Sequence, residues 1–506
     1  MVDVEAIRAG YTFSGPALDL GALVVDGKAD PETPIKIPLS LINRHGLVAG
    51  ATGTGKTKTL QVMAEQLAAQ GVPVFLADIK GDVAGMSQPG EQNAKITERM
   101  GEMGQKWTPT AYYCEFLTLG GKGIGVPVRA SVTDFGPLLL SKVLDLSDVQ
   151  QSSLNLVFHF ADQKGLPLVD LNDLRAVINY LVSDEGKEEL KTIGGLSKQT
   201  AGVLLRNLIA FSDAGADAFF GEPEFDINDM LRTTGDGKGV VTLLELPEVV
   251  QQPALFSSFL MWMLAELFQS LPEVGDLDKP KLVFFFDEAH LLFKDASKQF
   301  LESITQTVRL IRSKGVGVFF VTQTPKDVHP DVLAQLGNRV QHALRAFTPD
   351  DAKALKATAS TFPHSDYDLE KVLTQLGTGE AIITVLNEKG SPTPVAWTRL
   401  RAPESMMAAI EPNVMAAMVG GSYLYPKYSE KVDRESAYEM LASRVQQQAE
   451  AQAQAEPQPK AAPQRRTSAK AEKGLAEQIL GSSTTKSILT ASATQLIRSV
   501  FGTRKR

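Results

Sequence analysis

Two glycines five apart, followed by Lys and Thr, mark the most chemically informative stretch of this chain, Gly50-Ala51-Thr52-Gly53-Thr54-Gly55-Lys56-Thr57. This is the spacing of a phosphate-binding loop. Glycines let the backbone turn so that successive N–H groups converge on phosphate oxygens. The N-terminus of a following helix adds partial positive charge. In that arrangement the backbone of Gly50, Ala51, Thr52, Gly53, Thr54, Gly55, Lys56, Thr57 and Lys58 cradles the phosphates. Lys56 reaches the β- and γ-phosphates, and the Thr57 hydroxyl is a ligand for Mg²⁺. The expected ligands are ATP and Mg²⁺.

A phosphate loop serves kinases, switches and motors alike, so a second constellation has to narrow the choice. Asp287 and Glu288 follow the apolar run Leu282–Phe286, which places them where a buried strand ends. Asp287 there suits Mg²⁺, usually through water, and Glu288 suits the orientation of a water for in-line attack on the γ-phosphate. An acidic pair at this point favours hydrolysis over transfer. Gln323 ends another apolar run, 316–321, and its amide can bond both the attacking water and the γ-phosphate. No arginine lies within the loop, so a charge-neutralising arginine from a neighbouring subunit is attractive, with Arg339 first and Arg345 as the fallback. A structural role for either arginine stays open.

These residues need a sheet to position them. Residues 47–49 form a short apolar strand into the loop, and 58–69 carry apolar residues at helical spacing after it. Apolar runs at 72–77, 239–246, 282–286, 316–321, 340–347 and 381–386 read as further strands, with helical stretches between several of them. Strands of this kind imply an α/β fold with a mostly parallel sheet covered on both faces. Two more strands are expected at 21–25 and 35–39 around a polar turn, 26–33. Residues 134–235 read as an all-helical insertion between two parts of the core, 1–133 and 236–430. From 431 to 506 the pattern is a polar helix, a proline-containing low-complexity linker and a basic, partly disordered terminus.

Composition sets outer limits. Hydrophobic residues at 43% and charged residues at 22% are ordinary for a soluble globular chain. The lone Cys114 excludes an intrachain disulfide and a Cys-based zinc site, and points to the cytoplasm. The first twenty residues lack a basic start followed by an apolar core, so no signal peptide is expected. The most apolar run, 254–267, is too short to span a bilayer, and no membrane association is expected. Net charge is −8, made of a body at −15 and residues 456–506 at +7. The acidic body argues against nucleic acid binding over a broad surface, though not against a localised channel.

Taken together, residues 50–57, 78–82, 282–290, 321–325 and 338–347 resemble the HerA/FtsK group of P-loop motor ATPases. Asn43-Arg44-His45-Gly46-Leu47 before the loop and Ile79-Lys80-Gly81-Asp82 after the second strand are most similar to a bacterial HerA-like branch of unassigned function. The resemblance covers residues 10–430. It implies a RecA-like sheet, hexameric rings with ATP between subunits, and double-stranded DNA threaded through a pore. It also implies that Lys56, Thr57, Asp287, Glu288 and Gln323 take the roles described above, with Arg339 acting in trans. HerA-type helicases carry a substantial N-terminal β-barrel, whereas 49 residues precede the loop in this sequence. Lys122, Lys294 and Lys298 are the candidate DNA contacts, against the alternative of ordinary surface lysines. A protein partner recruited through the basic tail, or a nucleotide-driven switch or protein-remodelling ATPase that never grips DNA, remains the other reading.

Overall fold

Nearly every apolar run identified above is a strand of one twelve-stranded sheet. A computed structural model describes residues 2–247, 253–275, 277–293 and 298–455. In chain order the strands are β1 (Ala17–Val25), β2 (Lys28–Pro38), β3 (Gly46–Ala49), β4 (Val74–Asp78), β5 (Cys114–Leu119), β6 (Val126–Val128), β7 (Val241–Glu245), β8 (Leu282–Phe286), β9 (Val316–Thr322), β10 (Asn338–Gln341), β11 (Glu380–Thr384) and β12 (Ala396–Leu400). Their spatial order is β2-β1-β12-β11-β10-β3-β9-β8-β4-β7-β5-β6.

From β10 to β6 every neighbouring pair is parallel. From β10 outward through β11, β12, β1 and β2 every pair is antiparallel. The parallel strands are buried along their length, as strands covered on both faces must be: all five residues of β8 and all seven of β9 are inaccessible. Aromatic side chains fill this centre, with Phe285 stacked on Phe319 at 5.3 Å and Phe286 beside Phe320 at 5.7 Å. The helix Pro253–Ser270, the apolar run at 254–267, belongs to the same core: Phe259 and Trp262 both pack on Phe219. Among the described residues no helix is long and apolar enough to cross a membrane.

The antiparallel wing differs from the expectation in extent. The eight-residue turn at 26–33 shrinks to Asp26-Gly27, both with positive φ (48° and 80°), so β1 and β2 form a long tight hairpin. Asp-Gly is the dipeptide such a turn favours, because both central residues must be left-handed. The strand expected over 340–347 stops at Gln341; beyond it Leu344 N donates to Leu373 O, which takes the chain off the sheet and leaves Arg345 and Phe347 exposed.

Residues fall into two compact units, the sheet unit (Met1–Arg129, Ala214–Phe219, Pro223–Lys431) and a second one (Ala130–Asp213, Phe220–Glu222 and Val432 onward). The second unit is helical: Val132–Val143, Asp148–Gln163, Leu171–Val182, Lys187–Thr192 and Lys198–Asp213. The chain turns at Asp145 (φ 50°) between the first two of these helices, and Ser147 with Gln150 forms a capping box that starts the second. The polar helix Ala437–Ala455 is part of this unit. Its start is fastened to buried Asp173, whose Oδ1 accepts from Ser436 Oγ at 2.5 Å and Tyr438 N at 2.9 Å. The linker and basic terminus, 456–506, lie outside the described residues.

Candidate active site at the carboxyl edge of the parallel sheet

The phosphate loop leaves the end of β3 and enters the helix Lys56–Ala69. It is held by both neighbouring strands: Gly50 N donates to Thr322 O at the end of β9 (3.2 Å), and Ala51 N donates to Ala343 O just past β10 (2.8 Å). Within the loop Thr54 Oγ1 donates to Ala51 O at 2.7 Å, and Gly379 N donates to Thr54 O at 3.0 Å. Gly55 (φ 111°) is the residue before the helix, and no side chain caps that terminus. The first-turn N–H groups of a helix have no partner within it, so they are offered to a ligand.

His342 is the floor under this loop. It is fully inaccessible, its Nε2 lies 2.9 Å from Thr59 Oγ1, and its N donates to Ala49 O at 2.7 Å. A Cβ on Gly50 would fall 2.4 Å from the His342 Cβ, so only glycine fits there. Burial pushes the His342 ring down to about 3, with Lys56 adding to the effect, which keeps it neutral beside that lysine. Nothing in the sequence pattern marked His342; its position directly after the β10 strand was the available clue.

Lys56 is 6% exposed and its Nζ donates to Gly50 O at 2.7 Å and Ala51 O at 3.2 Å. Burial lowers its pKa, opposed by the nearby Glu288 and Asp287 carboxylates. Thr57 is half-buried one residue on, and Lys58 Nζ donates to Gln61 Oε1 at 3.2 Å.

The sheet order explains how residues more than two hundred positions apart meet. β9 lies between β3 and β8, so the loop, Gln323 and the acidic pair emerge side by side on one edge. Asp287 is 1% exposed; its Oδ1 accepts Glu288 N at 2.9 Å, while its Oδ2 has no hydrogen-bond partner. Burial pushes its carboxyl up to about 6, drawn back by the Lys80 ammonium. An unpartnered buried carboxylate oxygen is costly, and a hard oxygen donor beside a phosphate loop fits Mg²⁺ or its bound water.

Glu288 has φ 47°, a left-handed backbone that a non-glycine residue seldom adopts. Its Oε1 pairs with Lys80 Nζ at 2.5 Å and its Oε2 lies 3.2 Å from His290 Nδ1. Burial works to raise this carboxyl, but the Lys80 pair outweighs it and holds the group below the usual range. The Lys80 pairing could not be read from the sequence, since the two residues sit on separate strand ends.

Gln323 is exposed directly after β9 and lines a cavity of about 270 Å³ together with Ala51, Thr52, Lys326 and Arg345. Arg339 is elsewhere: it is the second residue of β10, opposite Leu47, and its Nη1 donates to Thr361 O at 3.2 Å. Lys122 is half-buried in the turn after β5, where its N donates to Leu119 O at 3.2 Å. Lys298 starts the helix Lys298–Ile311, its side chain 3.8 Å from Glu302. Lys294 lies outside the described residues.

The chain matches the family model "Helicase HerA-like C-terminal" over residues 24–506. It is 23% identical over 382 residues to a DNA double-strand break repair helicase HerA of Sulfolobus acidocaldarius, covering 73% of this chain and 67% of that one. A probable helicase of Methanocaldococcus jannaschii is 25% identical over 395 residues, covering 73% of this chain and 68% of that one. Among solved structures, the plasmid coupling protein TrwB in complex with ADP and Mg²⁺ aligns with a TM-score of 0.53 at 16% identity, over 81% of this chain and 94% of that one. TrwB with sulphate aligns with a TM-score of 0.54 at 16% identity, over 81% and 95%. With the family model matching almost the whole chain, and the phosphate loop and acidic pair side by side on a RecA-like sheet, the chain belongs to the HerA-like helicase C-terminal family of P-loop ATPases.

Proposed function

We propose that this chain is a Mg²⁺-dependent ATP hydrolase that assembles as a ring in the cytoplasm and moves or remodels double-stranded DNA. The observation that carries the reading is the buried Asp287-Glu288 pair on the same sheet edge as the Lys56 loop, with β9 alone between their strands. In this reading the backbone of residues 50–58 holds the phosphate chain, and Lys56 swings from Gly50 O to the β- and γ-phosphates. Thr57 and, through water, Asp287 hold Mg²⁺, which when bound neutralises charge on the phosphate oxygens. Glu288 orients the attacking water and accepts its proton. Gln323 bonds that water and the γ-phosphate, and so senses which nucleotide is present.

Arg339 of a neighbouring copy would neutralise charge on the equatorial oxygens, an effect of about 10³ to 10⁵ in rate. To do so it must release Thr361 O. Inactive Arg339→Ala chains mixed with inactive Lys56→Ala chains are then expected to recover part of the activity, read as phosphate release from confirmed mixed rings. If no activity returns, the role passes to Arg345 or to an arginine acting in cis.

DNA as substrate is supported by the names of the helicase relatives and by Lys122 in the turn after β5, with Lys298 at the start of its helix as a second candidate contact. ATP turnover is expected to rise several-fold with double-stranded DNA and to lose that stimulation as salt increases, because phosphate contacts release counterions. Turnover indifferent to DNA at every salt concentration would instead favour the switch or protein-remodelling reading, for which the acidic body is the supporting observation.

A further inference from the structure

The loop after β4 is built to place one side chain. Asp78 is wholly buried, yet its carboxylate serves only the loop's own backbone: Oδ1 accepts Lys80 N at 3.2 Å and Gly81 N at 2.7 Å, and Oδ2 accepts Val83 N at 2.9 Å. Gly81 sits at φ 69°, with room for a side chain limited by Pro247, whose Cγ would be 3.2 Å from a Cβ. A loop pinned at three amides points Lys80 from the end of β4 to Glu288 at the end of the adjacent β8.

The receiving residue is pinned as well. Glu288 N donates to Asp287 Oδ1, Ala289 N donates to Val321 O at 2.8 Å, and Leu291 N donates to Glu288 O at 2.9 Å. Together these hold a left-handed backbone that a non-glycine residue seldom adopts. Lys80 then pairs with Oε1 while the His290 ring lies beside Oε2, so the carboxylate is bracketed on both sides. Of the two, only Lys80 carries a full charge independent of the ring's protonation.

We propose that Lys80 is a positioning residue for Glu288: its ammonium holds the carboxylate at the orientation from which Glu288 orders the attacking water. The assignment rests on the role given to Glu288 above. Without Lys80 the carboxylate regains rotamer freedom, and a misplacement of about 1 Å costs roughly a hundredfold in rate. Among the described residues the Lys80 ammonium pairs with Glu288 and makes no hydrogen bond to residues 50–58, so its loss falls on turnover more than on nucleotide affinity.

The test is steady-state hydrolysis and fluorescent-nucleotide binding on the full chain carrying K80A, K80R or E288Q, with melting temperatures to confirm folding. The expected result for K80A is a ten- to hundredfold fall in kcat with nucleotide Kd within about twofold of the parent, and K80R recovers most of the lost kcat. An unchanged or raised kcat in K80A overturns the proposal, as does a fall in kcat matched by an equal weakening of nucleotide binding. E288Q separates the two levels: full turnover in E288Q removes the role of Glu288 itself, whereas an inactive E288Q beside a fully active K80A removes only that of Lys80.

Discussion

Replacing Lys56 by Ala is expected to reduce ATP turnover by on the order of 10² to 10⁴. The ammonium would make charge-assisted bonds to two phosphates, each contributing roughly 1.5–3 kcal/mol, and about 1.4 kcal/mol corresponds to tenfold in rate. The fold should survive the change. Lys56 is buried in the parent chain against two loop carbonyls, Gly50 O and Ala51 O, and the loop is independently fastened to β9 and to the segment after β10. Removing a desolvated cation also removes its burial cost. The measurements are phosphate release and a melting curve: turnover within tenfold of the parent, from a chain that melts normally, would falsify the placement of the triphosphate at this loop.

Glu288→Gln is expected to separate binding from chemistry. The amide keeps the size of the side chain but cannot accept a proton from water, and the loss of a positioned general base costs about 10² to 10⁴ in rate. Nucleotide binding should persist, because the phosphate contacts come from residues 50–58. An assembled ring should therefore accumulate with ATP bound, visible by light scattering as an assembly that outlasts the nucleotide in the parent. The substitution also leaves Lys80 without its carboxylate partner, so a modest change in local stability accompanies it. Equal loss of ATP affinity and turnover would count against the assignment, since it would place Glu288 in binding and not in water activation.

Much of this site was legible before any coordinates. The Gly50–Thr57 spacing identifies a phosphate loop because the chemistry needs glycine conformations, a lysine and a hydroxyl at fixed offsets within one turn of chain. Asp287 and Gln323 were placed correctly at strand ends because four or more consecutive apolar residues require burial on both faces of a sheet, and the polar residue that follows must emerge at its edge. The hairpin at Asp26-Gly27 was legible too, and the longer turn expected over 26–33 underweighted a dipeptide that favours left-handed backbone.

Other features depend on residues that meet only across the sheet. No periodicity connects Lys80 with Glu288, or His342 with Gly50; each pair shares a location because β4 lies beside β8 and β10 beside β3. The same holds for Asp173 and Ser436, more than 260 positions apart, which tie the helix Ala437–Ala455 into the helical unit.

By itself the sequence determined the P-loop ATPase class and the α/β architecture, because each follows from local rules: loop stereochemistry and apolar runs. Tertiary structure alone decided which groups lie beside the phosphate loop and the acidic pair. The order of strands brings Lys80 to Glu288, His342 beneath the phosphate loop and Arg345 to the cavity beside Gln323, while it leaves Arg339 on Thr361 O. The physical reason is that charge pairing and steric support act over a few ångströms in space, whereas sequence patterns record only what happens within a few residues along the chain.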